Sequence, residues 1–232
     1  MDERFIREEM LIGKEAMQKL SGARVALFGV GGVGSAASEG LARGGIGAID
    51  LIDNDTVSIT NINRQLCALD STVGMPKVEA VAARLEDINP MLKIVKHQLF
   101  FLPDTELDFS AYDYIVDAID TVSAKVEIAK RAAKAGVPVI SCMGTGNKLD
   151  PTKLTITDLA KTSVCPLARV MRRELKAHGI IHLKVVYSTE EPRKVFVEDD
   201  HGKHPPASIS FVPTTAGFIA AGEVIKDLSG IR

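Results

Sequence analysis

The segment Gly29-Val30-Gly31-Gly32-Val33-Gly34-Ser35 stands between an apolar run, Arg24 to Phe28, and a stretch of helical character, Ser35 to Arg43. Glycines this dense at a strand-to-helix turn allow the backbone to come closer to a ligand than a Cβ would permit. The N–H groups there sit at the positive end of a helix, and the group that suits them is a phosphate. A second apolar run, Ile49 to Ile52, ends on Asp53. That is roughly 20 residues past the loop, where a carboxylate accepts a hydrogen bond from a ribose hydroxyl. Asp53-Asn54-Asp55 offers two acids. The strand-end position gives the ribose to Asp53 and leaves Asp55 to solvent or the turn. Gly29, Gly31, Gly32, Gly34 and Asp53 by themselves imply a nucleotide or dinucleotide and nothing finer.

Strand and helix alternate through the first two thirds of the chain. Glu3 to Leu20 has helical character, with Phe5, Ile6, Met10 and Leu11 able to form an apolar stripe. Gly74-Met75-Pro76 opens a helix that runs to about Ile88, since proline is tolerated in a first turn, and Asn89-Pro90 ends it. Strands at Lys93 to Lys96, Tyr114 to Ala118 and Val137 to Cys142 follow, with a helix from Thr121 to Ala135. Such alternation predicts a Rossmann-like α/β fold, a mostly parallel sheet covered by helices on both faces. Past Gly144 the pattern changes to a strand (Lys153 to Thr157), a helix (Pro166 to Ala177), a strand (Leu183 to Ser188) and a closing helix (Phe211 to Leu228). Thr189 to Pro206, dense in charge, histidine and proline, reads as a mobile loop. The expectation is a single domain over 1–232, with a nucleotide-binding core at about 22–145 and a C-terminal elaboration at about 146–232 forming the substrate side.

Hydrophobic content of 46% supplies one substantial core, and 25% charged residues argue against wholesale disorder. The formal net charge of −2 means that any nucleic-acid site must be a local patch. Cys67, Cys142 and Cys165 are odd in number and far apart, which suggests no disulfide framework and fits a reducing cytoplasm. No Cys-x-x-Cys pair exists, so a four-thiolate zinc site is excluded. Charges in Met1-Asp2-Glu3-Arg4-Phe5 oppose a signal peptide, and Glu223, Lys226 and Asp227 oppose a membrane span at the closing helix.

Asn61-Ile62-Asn63-Arg64-Gln65 and Lys77 narrow the ligand. Two cations and a neutral amide near a glycine loop suit a triphosphate whose oxygens gather charge as it is split. Taken singly, they would be ordinary surface cations and a turn asparagine. Together they shift the reading towards ATP and adenylyl transfer.

This ordered set, continued through Asp117-Ala118-Ile119-Asp120, resembles the adenylating enzymes of the ubiquitin-activating superfamily in their small bacterial branch. Ile156-Thr157-Asp158-Leu159-Ala160-Lys161-Thr162, within Leu149 to Arg173, is similar to the tRNA threonylcarbamoyladenosine dehydratases in particular. The likeness covers Arg4 to about Leu228. It implies an enzyme that adenylates the threonyl carboxylate of the modified adenosine 37 of tRNA, then closes a ring with loss of AMP. It places Asn61, Arg64 and Lys77 on the nucleotide, and Asp120 on a magnesium ion that neutralises the phosphates; Gln65, beside Arg64, can assist at the phosphates. Asp117 has the weaker claim on that ion and the better claim on the turn. The alternative for Asp120 is a helix N-cap. Arg4-Phe5-Ile6-Arg7 is similar to an N-terminal segment whose second arginine, here Arg7, reaches the ATP of a neighbouring subunit. A homodimer follows from that resemblance, and a sulfur-acceptor or cysteine-desulfurase-system partner is compatible with it.

Arg169, Arg172, Arg173 and Lys176 fall at i, i+3, i+4 and i+7, one stripe of a helix. Lys161 and Lys184 can extend it into a phosphate-binding surface for tRNA. The competing reading is a plain solvated face. Cys165 stands where related enzymes carry a thioester-forming cysteine, but an intramolecular cyclisation needs no enzyme thiol, which favours a structural role. His201-Gly202-Lys203-His204 could suggest a metal-ligand pair, but it sits in the charge-dense segment and reads as loop. The rival activities are activation of a sulfur-carrier or ubiquitin-like protein, NAD-dependent oxidation, and nucleotide binding without catalysis.

Overall fold

The computed structural model describes residues 3–195 and 206–231. Two helices, α1 (Ile6–Ile12) and α2 (Lys14–Gly22), lead into β1 (Arg24–Phe28), α3 (Gly32–Arg43) and β2 (Ala48–Ile52). Then come α4 (Lys77–Ile88), β3 (Lys93–His97), β4 (Tyr114–Asp117), α5 (Val122–Ala135) and β5 (Val139–Cys142). β6 (Leu154–Asp158), α6 (Pro166–Ala177), β7 (Lys184–Ser188) and α7 (Phe211–Ser229) complete the chain. All strands join one seven-stranded sheet in the order β3-β2-β1-β4-β5-β7-β6, and every pairing is parallel except β6 against β7. The Rossmann-like expectation is met.

β1 shows why the sheet is covered on both sides. Val25 and Leu27 face a cluster containing Leu41, Ile49, Leu51, Val81 and Val224, while Ala26 and Phe28 face one built from Phe101, Phe109, Ile115 and Ile128. Complete burial of a side chain such as Leu27 or Ile49 contributes about 1.5–3 kcal/mol. Phe28 lies in register with Ile52 on one side and Asp117 on the other, so β1, β2 and β4 end at the same level. The connection order reverses between β1 and β4, and the crevice beyond those ends is where such sheets take their ligands.

Three boundaries differ from expectation for local reasons. Gly13, at φ +83°, breaks the N-terminal helical run in two. The apolar stripe expected on it is not core: Ile6, Met10 and Leu11 are all exposed. Helix α3 begins at Gly32, inside the glycine turn. Pro76 is extended (ψ 134°) and caps α4 from outside, so that helix starts at Lys77, not at Gly74.

Nothing separates the expected elaboration from the core. β7 pairs directly with β5, and α7 lies along α3. A Cβ at Gly217 would overlap the Val33 carbonyl oxygen, and one at Gly40 would stand 2.7 Å from the Ala221 side chain. The two helices meet nearly backbone to backbone. Residues 189–195 carry no regular structure, and the remainder of the expected loop, with His201 and His204, lies outside the described residues.

Candidate nucleotide-binding site

The glycine turn is folded on itself. Gly29 has φ +83°, and a Cβ there would stand 2.8 Å from the Ala118 carbonyl oxygen. A Cβ on Gly34 would overlap the Gly29 carbonyl oxygen. Gly34 therefore stays off the cleft wall and permits the turn, while Gly29, Gly31 and Gly32 face the opening. Gly31 caps α3 without a side-chain hydrogen bond, which leaves the first helical N–H groups to a ligand. Asp53 braces the loop. Its Oδ2 accepts from Val30 N at 2.8 Å and its Oδ1 from Asp55 N at 2.8 Å. Each oxygen retains a lone pair for a further donor.

The cleft in front of this loop has a volume of about 520 Å³. It gathers Gly29, Gly31, Gly32, Asp53, Asn61, Arg64, Gln65, Lys77 and Asp120 from sequence-distant segments. Asp55, Leu99, Phe100, Thr145, Ser208 and Pro213, none of them expected, also line it. Lys77 and Arg64 supply positive charge, and Asp53, Asp55 and Asp120 supply negative charge.

Several of these side chains are held by their own neighbours. Asn61 is buried, and its Oδ1 accepts from Ser58 N at 3.0 Å, closing a capping box on the 58–61 turn. Arg64 donates from Nη1 to Thr60 O at 2.8 Å and Asn63 Oδ1 at 2.9 Å. Its remaining N–H groups are available for a phosphate. The Lys77 ammonium lies 2.7 Å from Oδ2 of Asp55, which is solvent-exposed as expected yet also pairs with the lysine. Gln65 is 6% exposed, and its Oε1 has no hydrogen-bond partner among the described residues. A buried amide of this kind costs free energy until something in the cleft bonds it.

The two acids after β4 point different ways. Asp117 is sealed beneath the cleft against Lys125 and also accepts from Ile119 N at 3.3 Å. Asp120 is exposed at the mouth, where the Thr121 hydroxyl lies 3.4 Å from its Oδ1. Thr121, not Asp120, occupies the N-cap position of α5. Among the described residues no three His, Cys, Asp or Glu side chains cluster to hold a metal. One lone carboxylate is nevertheless what magnesium needs when it is shared with substrate phosphates.

The sequence matches the ThiF family over residues 5–232. The chain belongs to the ThiF family. A relative named tRNA threonylcarbamoyladenosine dehydratase, from Bacillus subtilis, is 44% identical, with 97% of this chain and 94% of the relative covered. The solved Escherichia coli tRNA N6-threonylcarbamoyladenosine dehydratase in complex with AMP superposes with a TM-score of 0.87 at 36% identity, over 98% of this chain and 94% of that one. The same enzyme in complex with ATP gives a TM-score of 0.87 at 35% identity, with the same shares covered.

Other expected site residues of this ThiF-family chain lie away from the cleft. Arg7 is exposed on α1 and does not line it. On α6, Arg169, Arg173 and Lys176 are exposed, as is Lys161 just before the helix. Arg172 departs from the expected stripe: it is half-buried, and its Nη1 donates to Thr162 O at 2.9 Å, to Leu159 O at 3.5 Å and to the Thr162 hydroxyl. The 159–161 turn presents carbonyls that capture it. Lys184 is likewise spent, 2.9 Å from Glu223 and 2.6 Å from Asp227. Cys165 is buried and does not line the cleft, as a thioester-forming thiol would have to.

Proposed function

We propose that this chain is an ATP-dependent tRNA threonylcarbamoyladenosine dehydratase. The observation that carries the reading is 44% identity to an enzyme of that name over nearly the whole of both chains. The substrate is tRNA bearing N6-threonylcarbamoyladenosine at position 37, and the protein works in the cytoplasm where that tRNA is found. Among its described residues no helix is long and apolar enough to cross a membrane.

The cleft suits the first half-reaction. The Gly31–Gly34 turn and the start of α3 receive the phosphates, and Asp53 takes the ribose. A carboxylate oxygen of the threonyl group attacks the α-phosphorus, the bond to the bridging oxygen breaks, and pyrophosphate leaves. Arg64 and Lys77 offset the negative charge that accumulates on the phosphate oxygens, with Asn61 and Gln65 bonding without adding charge. Asp120 holds magnesium, which when bound supplies further neutralisation of the triphosphate. In the second half-reaction an internal nucleophile of the threonylcarbamoyl group displaces AMP and loses its proton, closing the ring. Hydroxide leaves poorly from a carboxylate, whereas AMP leaves readily, so ATP carries away the elements of water. An enclosed cleft protects the mixed anhydride until closure.

Three further parts complete the reading. Arg7 sits beside Ile6, Met10 and Leu11, which are 55%, 82% and 85% exposed on a helix with no buried residue. Covering that apolar surface with a second copy gives a two-fold homodimer in which each Arg7 serves the other cleft. Arg169, Arg173 and Lys176, with Lys161 beside them, hold tRNA phosphates. A sulfur-acceptor or cysteine-desulfurase-system protein is the accessory partner.

ATP–pyrophosphate exchange tests the proposal. Exchange is expected with tRNA carrying the modification, and none with unmodified tRNA or with the C-terminal tail of a carrier protein. Exchange that depends on the tail instead would make the chain a carrier-protein activator.

A further inference from the structure

Lys77 enters the cleft from the first position of α4, and its side chain is only 8% exposed. An ammonium that deep needs an acceptor, or desolvation would penalise its charge. Among the described residues its one acceptor is Asp55 Oδ2 at 2.7 Å. The same residue holds Lys77 through the backbone, since Asp55 O accepts from Lys77 N at 2.9 Å. The two segments stay zipped in one direction from that contact. Thr56 bridges Pro76, Val57 N donates to Met75 O at 2.8 Å, and Gly74 N donates to Val57 O at 2.8 Å. Asp55 therefore cannot drift from Lys77 without breaking a local ladder. Its own carboxylate is 56% exposed, open to the cleft and to water.

We infer that Asp55 is the positioning residue for Lys77, fixing the ammonium on the cleft floor before ATP arrives and keeping it there while the α-phosphate is attacked. The inference rests on the reading of Lys77 as a phosphate ligand. An ammonium has three donors, and one on Asp55 leaves two for phosphate oxygens. A lysine side chain otherwise loses considerable rotamer freedom when it is immobilised on a ligand. Here that ordering precedes substrate binding, the condition under which a charge is most effective on a transition state. The two acids of Asp53-Asn54-Asp55 thus divide the site between them. Asp53 turns back to the glycine loop, and Asp55 turns forward to Lys77.

A double-mutant cycle on the full chain, read by tRNA-dependent ATP–pyrophosphate exchange, tests this. Lys77→Ala is expected to slow exchange about 10²-fold, the usual loss of one transition-state donor. Asp55→Ala is expected to lose at least about 10-fold in kcat with the KM for ATP unchanged or lower, because a carboxylate facing the triphosphate has also gone. In the Lys77→Ala background Asp55→Ala should cost nothing more. Asp55→Asn, whose amide oxygen still accepts from the ammonium, should recover part of the rate. A fold defect would instead appear in both backgrounds. Should Asp55→Ala melt below the assay temperature, the Asn variant carries the cycle, slowing the wild type but not Lys77→Ala. Equal losses in the two backgrounds, or a wild-type rate for the Asp55 variants, overturns the inference. A wild-type rate for Lys77→Ala is a different failure and removes Lys77 itself from the site.

Discussion

The Lys125 ammonium lies 2.9 Å from the Asp117 carboxylate inside the protein, where the two side chains are 0% and 2% exposed. Ser141 completes a triangle, donating to Asp117 Oδ2 at 2.5 Å and accepting from Lys125 Nζ at 3.2 Å. The pair binds α5 to the ends of β4 and β5, directly below the residues that back the glycine turn. Breaking one half strands the other charge in a medium that solvates it poorly. Lys125→Met or Asp117→Asn should each cost about 3–5 kcal/mol of stability in denaturant titrations. Replacing both by apolar residues of similar volume should restore much of that loss. Single variants that melt like the wild type would show that the interior solvates these charges by another route.

The exposed and captured arginines of α6 should separate cleanly. Charge reversal at Arg169 and Arg173 should weaken tRNA binding and flatten its dependence on salt, with ATP affinity and melting temperature nearly unchanged. Arg172→Glu should instead destabilise the fold, because it removes donors from the Leu159 and Thr162 carbonyls and sets an acid against them. Filter binding at several salt concentrations, beside thermal melts, distinguishes the two. Unaltered tRNA affinity in the double reversal would make the helix face a solvated surface only.

Glu39 gives the fold an acid-sensitive joint. Burial alone would raise its carboxyl, but hydrogen bonds from Arg84 at 2.6 Å and Arg43 at 2.9 Å outweigh that and hold it below the usual range. A depressed carboxyl contributes stability above the unfolded glutamate value of about 4.3, and that stability fades as pH falls through it towards the lower folded value. Glu39→Gln should therefore be less stable than wild type at pH 7, and the gap should narrow below about pH 4. A gap that is constant across a pH series of melts would assign the effect of the substitution to packing.

Complementation tests the assembly. In the proposed homodimer, Arg7→Ala and Lys77→Ala should each be strongly slowed, and a mixed dimer should regain part of the rate, because one of its clefts keeps Lys77 and receives Arg7 from the other subunit. If mixed dimers form and stay inactive, Arg7 acts within its own subunit or not at all.

The sequence made legible whatever is written locally. The glycine turn, the strand-end Asp53 and the alternation of short apolar runs with helical stretches are each properties of a few consecutive residues, and the sheet follows from them. Convergence of Asp53 and Asp120 on one cleft also follows, because both stand at the carboxyl ends of strands, whereas Asn61, Arg64 and Lys77 came to it through the family resemblance. Partnerships that depend on how loops fold were not legible. Asp55 looked like a turn acid because its partner is brought to it by the ladder between 55–57 and 74–77. Arg172 fitted a helical stripe, yet that periodicity says nothing about the carbonyls of a preceding turn. Lys125 reads as one more charge on α5 until β5 places Ser141 beside it.

The seam between α3 and α7 sets a timetable for synthesis. The helix that begins in the glycine turn is made early, but the surface that covers Val33, Gly40 and Gly44 comes from Gly217, Ala221 and Ile225, near the far end of the sequence. While the chain emerges, that apolar flank has no mate, and the cleft above it lacks Pro213 as a wall. The nascent protein therefore cannot acquire a finished nucleotide site in stages. It passes from incompetence to competence only once α7 leaves the ribosome, and until then α3 keeps an uncovered apolar flank.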